Sequence, residues 1–304
     1  TVTFRYKVCP NNPLKHIDYP YMDRQYLYLL AYHVLIFPYA KEDERWSFHI
    51  QMMNQPKDWH TLTSNGLYDK NSMEVNDRLS RLTTWVLTAS SNPPLFIKGK
   101  YRSLYFTKAD TQLIKDDFVD KIAKVLEHQS ALMIDKSRAP LLIHIVPAEK
   151  GHYVLGRHPT HALSLWLADE ADREEALLIL SHEHFHSWIG WEIAIQKERN
   201  KYIWFEEGVN DYLGVLTAYD AGVIQEDQVI SYVNKLIKAI EVSPFKNLKT
   251  SVLQEMAKTN MEAKMLASIR GHLAVLTYFP YSRNAEKNEV KKVVEKILED
   301  SKKS

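Results

Sequence analysis

The chain has 304 residues, with 39 Lys and Arg against 38 Asp and Glu, for a formal net charge of +1. That length allows one large domain or two modest ones, and the balanced charge gives no footprint for a nucleic-acid partner or an anionic membrane surface. A single cysteine, Cys9, excludes an intrachain disulfide and any cysteine-based zinc cluster.

The first third reads as strands. Val2–Val8 alternates with a period near two, and Tyr26–Phe37 and Trp46–Met52 are rich in β-branched and aromatic residues. Turn signals separate them at Pro10-Asn11-Asn12-Pro13, Asn54-Gln55-Pro56 and Ser64-Asn65-Gly66. Ser90-Ser91-Asn92-Pro93-Pro94 precedes a further strand-like stretch, Leu95–Phe106. Residues 1–107 are therefore expected to form a mostly β domain. Their richest apolar run, Leu27–Phe37, is broken by Tyr and His and is too short to span a bilayer. No signal peptide opens the chain, and a start at Thr1 leaves room for an exported protein whose leader has been removed, so the compartment stays open.

Residues 108–304 change in texture and are expected to form a second, mainly helical domain, giving an α+β chain overall. Asp110–Met133 has helical spacing in Leu113, Phe118, Ile122 and Val125. Leu141–Val146 reads as a short strand and Tyr153–Leu167 as one or two. Asp169-Glu170-Ala171-Asp172 puts negative charge at a helix N-terminus, where the dipole favours it. Further helices are expected over Tyr202–Tyr219, Gln225–Ile240, Thr250–Lys258, Met261–Tyr278 and Asn284–Asp300. The last is amphipathic through Val290, Val293, Val294, Ile297 and Leu298.

Two segments carry chemistry. His182-Glu183-His184-Phe185-His186 matches H-E-x-x-H, and Trp204-Phe205-Glu206-Glu207-Gly208 supplies a carboxylate on the next helix. On a helix, His182 and His186 share a face and can converge on one zinc ion. Glu183 then stands beside the metal without ligating it, placed to take a proton as general base. Glu207 completes the ligand set, with Glu206 as the alternative. Asp211, four residues beyond Glu207, suits a partner that fixes a ligating imidazole in one tautomer. A rival reading places His182, His184 and His186 on one face of a strand as a three-histidine site. The helix-forming run Arg173-Glu174-Glu175-Ala176-Leu177-Leu178 argues against it.

These segments resemble the gluzincin metallopeptidases, and most closely the glycyl aminopeptidase family. His182 to Trp188 is similar to that family's H-E-x-x-H-x-W helix, Trp204 to Tyr212 to its W-x-x-E-G-x-x-x-Y segment, and Arg270-Gly271-His272-Leu273 to its K-G helix. The resemblance implies a thermolysin-like catalytic domain behind a β domain. Two departures stand out. The family's amine-binding Glu has no counterpart in Gly156-Arg157-His158-Pro159-Thr160-His161, and Ser268 occupies the place of the Tyr that donates to the tetrahedral oxyanion. Arg157 and His158 become candidate substrate contacts, as do Ser268, Tyr278 and Tyr281.

The function expected from this is zinc-dependent hydrolysis of peptide bonds in a peptide or protein substrate, with one zinc ion per chain on His182, His186 and Glu207. The alternative is a peptidase-like binding protein that keeps zinc but turns over weakly or not at all. A third possibility is hydrolysis of another bond, such as an epoxide or amide. Oligomeric state has no signature.

Overall fold

The computed structural model describes residues 20–34, 44–51, 55–64, 66–68, 72–108, 116–133, 139–148, 155–157, 159, 161–168, 172–190, 193, 202–281 and 289–301. The chain divides into two compact units, Thr1–Lys115 with Ser137–Ala171, and Asp116–Lys136 with Asp172–Ser304. All strands among the described residues fall in the first unit, and all helices longer than five residues fall in the second. Cys9 and the expected strand Val2–Val8 lie outside the described residues.

The first unit contains β1 (Tyr21–Met22), β2 (Tyr26–Leu30), β3 (Arg45–Gln51), β4 (His60–Thr63), β5 (Gly66–Tyr68), β6 (Ser72–Arg78), β7 (Val86–Ser90), β8 (Leu95–Ile97), β9 (Leu104–Lys108), β10 (Leu141–Pro147), β11 (Leu155–Arg157) and β12 (Ala162–Leu167). Two short helices, α1 (Ala31–Val34) and α2 (Leu79–Thr83), interrupt them. An antiparallel sheet runs in the order β1-β2-β7-β4-β5, a mixed sheet in the order β11-β12-β10-β9-β8, and β3 pairs with β6. The strand expected over Tyr26–Phe37 ends at Leu30, where the chain turns into α1. The expected domain boundary between 107 and 108 falls inside β9, which pairs in parallel with β10. The first compact unit takes in Thr1–Lys115 and Ser137–Ala171, with Asp116–Lys136 in the second.

Alternation along β2 builds the layers. Tyr26, Tyr28 and Leu30 pack with Leu142, Val146, Ala162 and Trp166 of the mixed sheet. Leu27 and Leu29, on the opposite face, join Trp46, Phe48 and Ile50 of β3. Between the two five-stranded sheets lies a buried polar group. His144 stacks on Tyr28 with ring centroids 4.1 Å apart. Its Nε2 is 2.5 Å from Ser164 Oγ, and its Nδ1 is 3.3 Å from the Tyr26 hydroxyl. Burial pushes its pKa down to about 3, so the ring is neutral and serves as a hydrogen-bonded core residue.

The second unit contains α3 (Asp116–Leu132), α4 (Arg173–Phe185), α5 (Ile203–Asp220), α6 (Glu226–Val242), α7 (Thr250–Met256), α8 (Met261–Tyr278) and α9 (Glu289–Ser301). The Asp172 side chain caps α4 by accepting from the Glu174 N–H at 2.9 Å, and Glu174 and Glu175 follow in the first turn. The main core joins Leu132, Phe185, Trp188, Val209, Tyr212 and Leu216, against which Val275, Leu276 and Ile297 pack. A second cluster gathers Ile203, Leu253, Ala263, Leu266 and Ala267. No helix among the described residues is long and apolar enough to cross a membrane.

Candidate active site

The H-E-x-x-H segment closes α4, with His186 as the C-cap, so it is helical and not a strand. The histidine between the two candidate ligands points elsewhere. His184 is fully buried, and its Nδ1 lies 2.7 Å from Gln129 Oε1 on α3. Gln129 Nε2 in turn donates to the Ser181 carbonyl at 3.1 Å and to Thr217 Oγ1 at 2.9 Å. This network ties α3, α4 and α5 together behind the site and leaves His184 no part in a three-histidine centre.

His182 and His186 face α5. Their Nε2 atoms are 3.1 Å apart. Glu207 Oε2 lies 3.3 Å from His182 Nε2 and 3.7 Å from His186 Nε2. Ligand atoms at about 2.0–2.1 Å from a tetrahedral zinc ion are roughly 3.3 Å from one another. The three atoms therefore form a triangle of the size zinc requires, and they are a metal-competent group among the described residues. Glu206, the alternative ligand, is buried and turned towards Gly190. Glu183 is half-buried, one residue from His182 on α4.

Each imidazole is oriented through its other nitrogen. Asp211 Oδ1 lies 2.7 Å from His182 Nδ1. His186 Nδ1 lies 3.1 Å from the Ile189 carbonyl, which can only accept, so Nδ1 carries the proton and Nε2 is free to ligate. Asn210 Nδ2 lies 2.9 Å from the same nitrogen and donates to the Ile189 carbonyl at 3.4 Å. Asn210 was not singled out from sequence, although its place between Glu207 and Asp211 on α5 is a usable signal.

The electrostatics favour a cation at the centre. Burial works against charge on Glu207, but hydrogen bonds and charge from His182 and His186 outweigh it and hold the carboxyl well below its usual range. Asp211 behaves alike: burial opposes its charge, and His182, His272 and Ser268 prevail and lower its pKa. For His182, burial disfavours the proton, yet Asp211 and Glu207 raise the pKa well above 6.5. Two carboxylates thus stabilise positive charge at the imidazoles, which is the environment a divalent ion needs.

α8 closes the arrangement. An ideal Cβ on Gly208 would stand 2.6 Å from the Ser268 carbonyl oxygen and 2.7 Å from the His272 nitrogen. One on Gly271 would overlap the Trp204 carbonyl. The E-G and R-G pairs of the motifs are therefore the contact points of two helices that meet backbone to backbone. Across this contact Ser268 Oγ donates to Asp211 Oδ2 at 2.7 Å.

The other candidate contacts are scattered. Arg157, at the end of β11, belongs to the first unit, where its guanidinium lies 5.7 Å over the Tyr32 ring. His158 lies outside the described residues. Tyr278 is 80% exposed at the end of α8. The Tyr281 hydroxyl is 2.6 Å from His272 Nε2, and its ring stacks on Tyr212. Ser268 and Tyr281 are thus both engaged inside the protein.

Comparisons with known proteins bear on this geometry. Residues 175–270, about a third of the chain, match the family model described as M61 glycyl aminopeptidase. No curated protein matches the chain in sequence. Among solved structures, the aminopeptidase N family protein from Idiomarina loihiensis superposes with a TM-score of 0.75 at 14% identity, covering 92% of this chain and 54% of its own. Yeast LTA4 hydrolase, solved in complex with bestatin, gives a TM-score of 0.52 at 13% identity, covering 90% of this chain and 44% of its own. The chain spans about half the length of these proteins and shares their fold, a strand-rich region followed by a helical one. The resemblance read from the motifs holds: the stretch from 175 to 270, which contains the His182–His186 and Trp204–Gly208 segments, matches the M61 glycyl aminopeptidase family model.

Proposed function

We propose that this chain is a zinc-dependent peptidase. The observation that carries the reading is the triangle of His182 Nε2, His186 Nε2 and Glu207 Oε2, with sides of 3.1, 3.3 and 3.7 Å. Zinc held there would polarise a scissile carbonyl and acidify a water molecule. Glu183 makes no part of the triangle and is left to accept the proton of that water and return it to the leaving amine. Asp211 and the Ile189 carbonyl hold the imidazoles in the ligating tautomer. The match to a peptidase family supports peptides as the substrate class.

One observation favours a second reading, a zinc-binding protein with weak turnover. The Ser268 hydroxyl is committed to Asp211 and offers nothing to an oxyanion, and loss of one such donor costs about 10²–10³ in rate.

A mixed peptide library, incubated with the zinc-loaded protein and read by mass spectrometry, separates the two. Cleavage that stops on chelation and returns with zinc is expected. Intact peptides beside a protein that holds one zinc per chain would favour the binding reading.

A further inference from the structure

α8 sets two side chains, one helical turn apart, against the two carboxylates that α5 presents to the histidines. Lys264 Nζ lies 2.9 Å from Glu207 Oε1, and Ser268 Oγ lies 2.7 Å from Asp211 Oδ2. Spacings of four residues, Lys264 to Ser268 and Glu207 to Asp211, put each pair on one helix face. The opposite oxygen of each carboxylate is turned to an imidazole: Glu207 Oε2 is 3.3 Å from His182 Nε2, and Asp211 Oδ1 is 2.7 Å from His182 Nδ1. Both carboxylates are thus divided, with one oxygen held by α8 and the other facing the histidines.

We propose that Lys264 is a positioning residue that restricts Glu207 to a single ligating oxygen, so that the fourth position at the metal stays open. This rests on the zinc-site reading above. A carboxylate can ligate through one oxygen or both, and a hydrolytic site needs three protein donors and one free position. With Oε1 tied to an ammonium by a charge-assisted hydrogen bond, only Oε2 is available. Without that bond, Oε1 can swing onto the metal as a donor additional to the water, which raises the coordination above four and crowds the position that substrate needs. Lys264 is 40% exposed, so as a plain ion pair it would contribute little to stability. Its role is read instead in the coordination of the metal.

The test uses the full chain with cobalt(II) in place of zinc, because the visible bands of cobalt are strong in four-coordinate sites and weak in higher coordination. Wild type and Lys264→Arg should show strong bands. Lys264→Met should bind one cobalt per chain with bands several-fold weaker, and its zinc form should lose activity about 10–100-fold, the usual range for residues behind a metal ligand. An unchanged spectrum in Lys264→Met, loss of metal from that variant, or weak bands already present in wild type would each overturn the proposal. Failure of wild type to bind cobalt or zinc at all would refute the metal site itself, a separate result.

Discussion

Glu183→Gln should abolish peptide hydrolysis and leave zinc bound. The substitution keeps the size of the side chain and removes its ability to take a proton. The three proposed ligand atoms belong to His182, His186 and Glu207, so the metal would lose none of them. A positioned general base contributes about 10²–10⁴ in rate, and kcat should fall by that much with the metal content unchanged. Zinc lost together with activity would show that Glu183 ligates. Retained activity would move the base elsewhere.

The second large effect is expected at Gly271. Its added Cβ would fall onto the Trp204 carbonyl oxygen and lie 2.7 Å from the Trp204 carbonyl carbon. These are backbone atoms that no rotamer change can clear. Overpacking a core typically costs about 1–3 kcal/mol, and Gly271→Ala should reach or exceed the top of that range. Because the helices would have to part, the variant should also bind zinc more weakly, since α8 and α5 meet again at Lys264 and Glu207 and at Ser268 and Asp211. Gly222 is the control. Its φ of +67° carries some strain for alanine, but the nearest atom to an added Cβ is Lys124 Nζ at 4.0 Å. Urea unfolding midpoints should fall further for Gly271→Ala than for Gly222→Ala, whose cost is the left-handed backbone alone; equal midpoints would contradict the close helix contact.

The site was legible in sequence where its geometry is local. His182 with His186, and Glu207 with Asp211, are four residues apart on single helices, and a helix fixes such pairs without reference to the rest of the fold. The residues that α8 contributes were not legible in the same way. Ser268 was expected near an oxyanion because it replaces a tyrosine, and it instead holds Asp211, a choice set by how closely Gly208 and Gly271 let the helices meet. Lys264 is one of 39 basic residues and had no local mark. In the first unit, β3 showed itself by strict alternation of half-buried Trp46, Phe48 and Ile50 with exposed neighbours. β7 is buried along its whole length and has no period to read. The parallel pairing of β9 with β10 joins residues separated by α3, and such non-local contacts leave no pattern in either segment alone.

The central claim is that His182, His186 and Glu207 hold one zinc ion. The most direct measurement is the zinc content of purified wild type, Glu206→Ala and Glu207→Ala after dialysis against a weak chelator. One zinc per chain in wild type and Glu206→Ala, with loss from Glu207→Ala, is the predicted result. Zinc retained without Glu207, or lost without Glu206, would contradict it.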